Sequence, residues 1–113
     1  MKLALLAGLL LMFALIGCAQ QNHDALAECL SEKKVTMFGA FWCPHCANQK
    51  EIFGNSFSKI NYVECSLPDK SGQTQICKDK EIKGYPTWEF GDGSRVEGEM
   101  TLAALAAKAG CAG

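Results

Sequence analysis

The sequence predicts a small α/β domain with a central mixed β-sheet of about four strands flanked by helices, and three observations carry that prediction. First, an apolar, β-branched and aromatic run at 35–42 is followed by helix formers from Pro44 to Phe53 and then by a second strand-like stretch, Tyr62-Val63-Glu64-Cys65. The first run lacks polar alternation, as a strand covered on both faces does, and two strands joined by one helix lie parallel. Second, Gly91-Asp92-Gly93-Ser94 separates two further strand-like stretches, 87–90 and 95–98, in the manner of a hairpin. Third, helical patterns bracket these strands at 24–34, at 73–82 and after Thr101.

The N-terminal residues stand apart from this domain. Lys2 precedes an apolar run from Leu3 to Ile16 and then Gly17-Cys18. The run is shorter than the roughly 20 apolar residues a membrane-crossing helix needs, so 1–18 reads as an export signal. Leu15-Ile16-Gly17-Cys18 also resembles the bacterial lipobox, which implies lipid on Cys18; the alternatives are an ordinary secretory signal cut near Ala19 or an uncleaved anchor. A short polar tether, 19–23, then leads into the domain at 24–113.

Each element has its own local signals. Asp24 is placed to cap the first helix, whose Ala25, Leu26, Cys29 and Leu30 form an apolar side before two lysines close it. Pro44 suits the first position of the second helix, and Gly54 its end. Gln73 to Ile82 follows a turn at 68–72. Thr101 caps the last helix, whose Leu102, Ala103, Leu105, Ala106 and Ala109 supply an apolar face up to Gly110. Trp88 belongs to the core. With a net charge of −1 and scattered basic residues, nothing points to nucleic acid as a partner.

The chemistry concentrates in Phe41-Trp42-Cys43-Pro44-His45-Cys46. Cys43 falls where a strand hands over to a helix, and there the unpaired N–H groups and the dipole stabilise a thiolate, the species that attacks disulfides. Cys46, one turn on, is placed to close a small disulfide ring with it, so Cys43 reads as the attacking sulfur and Cys46 as the resolving one. The other reading of Cys-x-x-Cys is half of a zinc site. That would need a second compact pair, and Cys65 and Cys77 are too widely spaced for a typical one. No metal ligand set and no cofactor is therefore assigned.

These residues resemble the active site of the thioredoxin superfamily, with the Cys-Pro-His-Cys variant of the DsbA family of periplasmic oxidants. Together with Gly39-Ala40, Gln49-Lys50-Glu51, Phe53-Gly54, Tyr62-Val63-Glu64-Cys65 and Gly84-Tyr85-Pro86-Thr87-Trp88, they are similar to the thioredoxin-like domain fused to bacterial homologues of vitamin K epoxide reductase. The resemblance implies a thioredoxin-like fold and a thiol–disulfide oxidoreductase exported beyond the cytoplasm. It implies substrate proteins with thiols or disulfides and, as redox partner, a quinone-linked membrane enzyme of the vitamin K epoxide reductase type on a separate chain, with lipid on Cys18 holding the two close. Pro44 and His45 would tune the couple, a protonated His45 stabilising the Cys43 thiolate; the alternative is a bystander on the helix surface. Pro86 would be cis, turning the backbone of Tyr85 toward an extended substrate, with Trp42, Tyr85, Pro86 and Thr87 forming the contact surface. A trans proline in a plain turn is the alternative.

The resemblance also implies a structural disulfide between Cys65 and Cys77, whose ~13-residue loop is worth about 3 kcal/mol in the chain-entropy model. It supplies no such bridge for Cys29 and Cys111, and whether these two pair stays open. One departure stands out. Many relatives carry a buried carboxylate six residues before the first active cysteine, and here that residue is Met37. A water or another acid, with Glu89 as one candidate, is left to move the proton of Cys46. Three other functions stay in view: a reductase or isomerase using the same dithiol, a copper- or zinc-binding lipoprotein, and a purely structural module.

Overall fold

The computed structural model describes residues 22–112. The expected export signal, Cys18 and most of the tether lie outside them. The elements run α1 (Asp24–Glu32), β1 (Thr36–Gly39), α2 (Pro44–Phe53), a 3-10 segment (Gly54–Lys59), β2 (Asn61–Glu64), α3 (Gln75–Asp79), β3 (Thr87–Glu89), β4 (Arg95–Glu97) and α4 (Leu102–Ala109). The four strands form one mixed sheet in the order β2-β1-β3-β4, with β1 parallel to β2 and antiparallel to β3, and β3 antiparallel to β4. This is the thioredoxin-like α/β fold.

Because strand side chains alternate between faces, consecutive residues of β1 serve two different clusters. Met37 is buried with Leu30, Phe53, Trp88 and Leu105 on one side, and Phe38 with Cys65, Cys77 and Ile82 on the other. That double burial is why the run read as unalternating. Gln49 fixes α2 to the first cluster: its Oε1 accepts from Trp88 Nε1 at 3.0 Å and from the Met100 amide at 2.7 Å, while its Nε2 donates to the Met100 carbonyl at 2.9 Å. Every polar atom of this fully buried side chain is thereby paired, so the helix carrying the dithiol is held at a defined depth.

Three expectations are corrected. Asp24 does not cap α1: His23 occupies that position, and Asp24, in the first turn, accepts from Ser56 Oγ at 2.6 Å. The strand run stops at Gly39, since the Cys43 amide turns back to the Ala40 carbonyl at 3.0 Å and folds 40–42 into a turn. The third helix is likewise shorter than the 73–82 span, because Gln73 bridges to Ser66 and Glu81 takes a positive φ of 55°. Thr101 Oγ1 does cap α4, accepting from Ala104 N at 3.1 Å, and Gly110 ends it in the left-handed conformation at φ 74°.

Two disulfides staple the fold. Cys65–Cys77 ties the end of β2 to α3 with a Cα separation of 5.4 Å, and Cys29–Cys111 joins α1 to the chain after α4 with a Cα separation of 6.1 Å. Among the described residues no helix is long and apolar enough to cross a membrane.

Candidate functional site

Cys43 is the N-cap residue of α2, with extended backbone (φ −82°, ψ 122°) and Pro44 immediately after it in the first turn. Proline is at home there, since its missing N–H is one that the helix would not use. Cys43 and Cys46 are free thiols, whereas Cys29, Cys65, Cys77 and Cys111 are all bonded. The two free sulfurs differ in surroundings. Cys43 is 7% exposed at the start of the helix, with its Sγ 3.6 Å from the carbonyl oxygen of Tyr85, while Cys46 is 1% exposed and lies within the core. Burial, together with a hydrogen bond to Cys43, pushes the Cys46 thiol up to about 11 against the opposing pull of the Ala40 backbone and Lys50. A sulfur that holds its proton this tightly suits the inner, resolving position.

The Tyr85-Pro86 peptide bond is cis. Around it, Trp42 and Tyr85 meet edge to face, with ring centroids 6.0 Å apart, and Trp42 Nε1 donates to Ser66 Oγ at 2.8 Å. Trp42 and Phe41 are nearly half exposed beside the sulfurs. Pro86 and Thr87 are buried, and Thr87 Oγ1 donates to the Gly84 carbonyl at 2.7 Å. As a correction to the expected contact surface, the Thr87 side chain braces the loop from within and offers a substrate nothing to touch. His45 points away from the core: it is largely exposed, and its Nδ1 lies 2.7 Å from Glu99 Oε2.

Several residues that the sequence reading passed over belong to this neighbourhood. Glu64 Oε2 accepts from the Phe41 amide at 3.1 Å and from the Ser66 amide at 2.9 Å, and its Oε1 accepts from Tyr62 Oη at 2.8 Å. Gln73 Nε2 donates to Tyr85 Oη at 2.9 Å, which orients the ring beside Cys43. Tyr62 and Glu64 were open to detection as an i, i+2 pair on one strand face. No local signal connects His45 with Glu99, which is 54 positions away. Glu89 is removed as the acid serving Cys46: it registers with Thr36, at the far end of β1 from the site, and its carboxylate is engaged by Arg95 at 2.9 Å and Lys80 at 3.6 Å. Met37 fills its position as plain core. Among the described residues, no three His, Cys, Asp or Glu side chains gather as metal ligands.

The arrangement provides an outer thiol at a helix start and an inner thiol beside it, next to the Tyr85 carbonyl and an apolar rim. No family model matches the chain. Among curated proteins it is 46% identical over 91 residues to a protein of Arabidopsis thaliana named thiol-disulfide oxidoreductase LTO1, covering 76% of this chain and 24% of that protein. It is 35% and 34% identical over 97 residues to the protein disulfide isomerase-like 2-1 and 2-2 proteins of Oryza sativa subsp. japonica, in each case covering 73% of this chain and 26% of the relative. The chain thus spans about a quarter of the length of these relatives. With the fold, these similarities support a place in the thioredoxin superfamily.

Proposed function

We propose that this thioredoxin-like domain is an exported, membrane-tethered thiol–disulfide oxidoreductase that donates its Cys43–Cys46 disulfide to substrate proteins. The observation that carries the reading is the division of the cysteines: four are locked in two bridges, and the free pair sits at the start of α2 beside the Tyr85 carbonyl. In the oxidised form a substrate thiolate attacks Cys43 Sγ. The Cys43–Cys46 bond breaks, Cys46 leaves with the electron pair and takes up a proton, and a substrate–Cys43 mixed disulfide forms. A second substrate thiolate attacks the substrate sulfur, the substrate disulfide forms, and Cys43 leaves as a thiolate. Two electrons have then passed from substrate to dithiol.

Phe41, Trp42 and Tyr85 would hold apolar segments of the client, and the Tyr85 backbone would pair with its extended chain. Lipid on Cys18 would tether the domain at the extracytoplasmic face, and a quinone-linked membrane enzyme of the vitamin K epoxide reductase type would reoxidise it. The relatives named as isomerase-like favour a second reading in which the same dithiol isomerises or reduces. Equilibration with glutathione separates the two: a potential near ~−120 mV supports donation, and one near ~−270 mV supports reduction. A Cys46→Ala variant is expected to accumulate mixed disulfides through Cys43 with exported proteins. If none is captured and thiol oxidation and insulin reduction assays are both silent, the exchange reading fails. Loss of radiolabelled lipid in Cys18→Ala tests the tether.

A further inference from the structure

We propose that Tyr62 and Glu64 form the proton path of Cys46, taking the place of the carboxylate that Met37 lacks. The inference rests on the exchange reading above and concerns its least exposed step. Cys46 is 1% exposed and holds its proton up to about 11, yet it must lose that proton each time it attacks the mixed disulfide and regain it each time it leaves. A buried sulfur needs a neighbouring group for this, since bulk water does not reach it.

Gly39 locates that neighbour. A Cβ at this last residue of β1 would lie 3.0 Å from Cys46 Sγ, 3.0 Å from Tyr62 Cε2 and 3.2 Å from Tyr62 Oη. The sulfur and the phenol therefore border the same small space, which stays open because residue 39 has no side chain. Tyr62 Oη has a single proton and gives it to Glu64 Oε1 at 2.8 Å, which leaves the oxygen's lone pairs able to accept a proton. Glu64 is fixed in turn by the Phe41 and Ser66 amides, and it is only partly buried, which connects the path to solvent. The charged and titratable groups around this path are Cys43 at the head of α2, Lys50 of α2, whose Nζ is 4.2 Å from the Tyr62 ring centroid, and Glu64 of β2.

The step balances. As Cys46 Sγ attacks Cys43 Sγ of a mixed disulfide, the Cys46 proton passes to Tyr62 Oη while the Tyr62 proton passes to Glu64. The new bond is Cys43–Cys46, the bond broken is that to the substrate sulfur, the substrate leaves as a thiolate with the electron pair, and Glu64 ends as a neutral acid that releases its proton to water. Disulfide donation runs the same path backwards. Tyr62 carries the proton at the reacting sulfur, and Glu64 acts through it.

Acid-quenched mass spectrometry of the reduced protein mixed with oxidised glutathione resolves the two steps: formation of the Cys43–glutathione mixed disulfide, and its closure by Cys46. In Tyr62→Phe and Glu64→Gln, formation should keep the wild-type rate. Closure at neutral pH should slow roughly 10²-fold, the lower end of what a positioned acid–base group provides. Its rate in the variants should rise about tenfold per pH unit on the approach to the Cys46 ionisation, against a shallower profile in the wild type. Closure at the wild-type rate with the wild-type pH profile, or equal slowing of both steps, overturns the proposal. Should Glu64→Gln not fold, Tyr62→Phe, which keeps the ring against Lys50 and Phe57, decides alone. A wild type that forms no mixed disulfide at all overturns the exchange reading instead.

Discussion

The two faces of the sheet each bury a pair of cysteines, and the same element has opposite fates on them. On the face of Met37, Cys43 and Cys46 stay free; on the face of Phe38, Cys65 and Cys77 are bonded and wholly buried. The free pair spans one helical turn and starts at a helix N-terminus, with the Tyr85 carbonyl and half-exposed Trp42 alongside. The bonded pair closes a loop between β2 and α3 under Phe38 and Ile82, where no thiolate partner can approach. Since Cys46 is as buried as the bonded pair, what sets the free pair apart is the place of Cys43 at a helix start with an exposed rim beside it, and not depth of burial.

Mutations can break that contrast, beginning with the most severe. Cys43→Ser should abolish disulfide exchange outright in an insulin or thiol-oxidation assay, whereas replacement of either bonded pair should leave exchange in place at temperatures where the protein is folded. Next, Cys29→Ser with Cys111→Ser should lower the free energy of unfolding by up to about 4.5 kcal/mol, because that bridge spans 82 positions, as read by denaturant titration. Removing Cys65 and Cys77 should cost less, about 3 kcal/mol by the same measurement, because only 12 positions separate them. The smallest effect is confined to alkaline pH. The native state holds the Cys46 proton up to about 11, while an unperturbed thiol releases it near 9.0. The contribution of this group is complete below 9.0 and is lost as pH rises toward 11, so the dithiol form should fall in stability relative to Cys46→Ala across that window. Equal slopes for the two proteins would show that Cys46 is not set apart from solvent.

Much of this was legible in the sequence. The βαβ unit, the hairpin and the place of Cys43 at the head of α2 follow from composition and from local signals such as Pro44, Gly91-Asp92-Gly93-Ser94 and Thr101, all of which act within a few residues. What escaped depends on contacts between distant segments. Glu99 beside His45, Gln49 between Trp88 and Met100, and Ser56 under Asp24 have no local signature. Glu89 illustrates the converse error: a carboxylate in the right strand proves useless to Cys46 because register puts it opposite Thr36. The strand run shrinks to Thr36–Gly39 for a local reason, the turn closed by the Cys43 amide on the Ala40 carbonyl, which leaves residues as apolar as Phe41 and Trp42 on the surface of the site rather than in the sheet. Thr87 reads as part of a contact surface from its place after Pro86, but the hydrogen bond to Gly84 turns it inward.

Mapping every cysteine pair by differential alkylation and mass spectrometry, across a series of glutathione ratios, measures where electrons enter this molecule. One two-electron transition is expected, confined to Cys43 and Cys46, with Cys65–Cys77 and Cys29–Cys111 closed through the whole of it. Opening of Cys65–Cys77 at or before the Cys43–Cys46 transition, or the absence of any transition at Cys43 and Cys46, would contradict it.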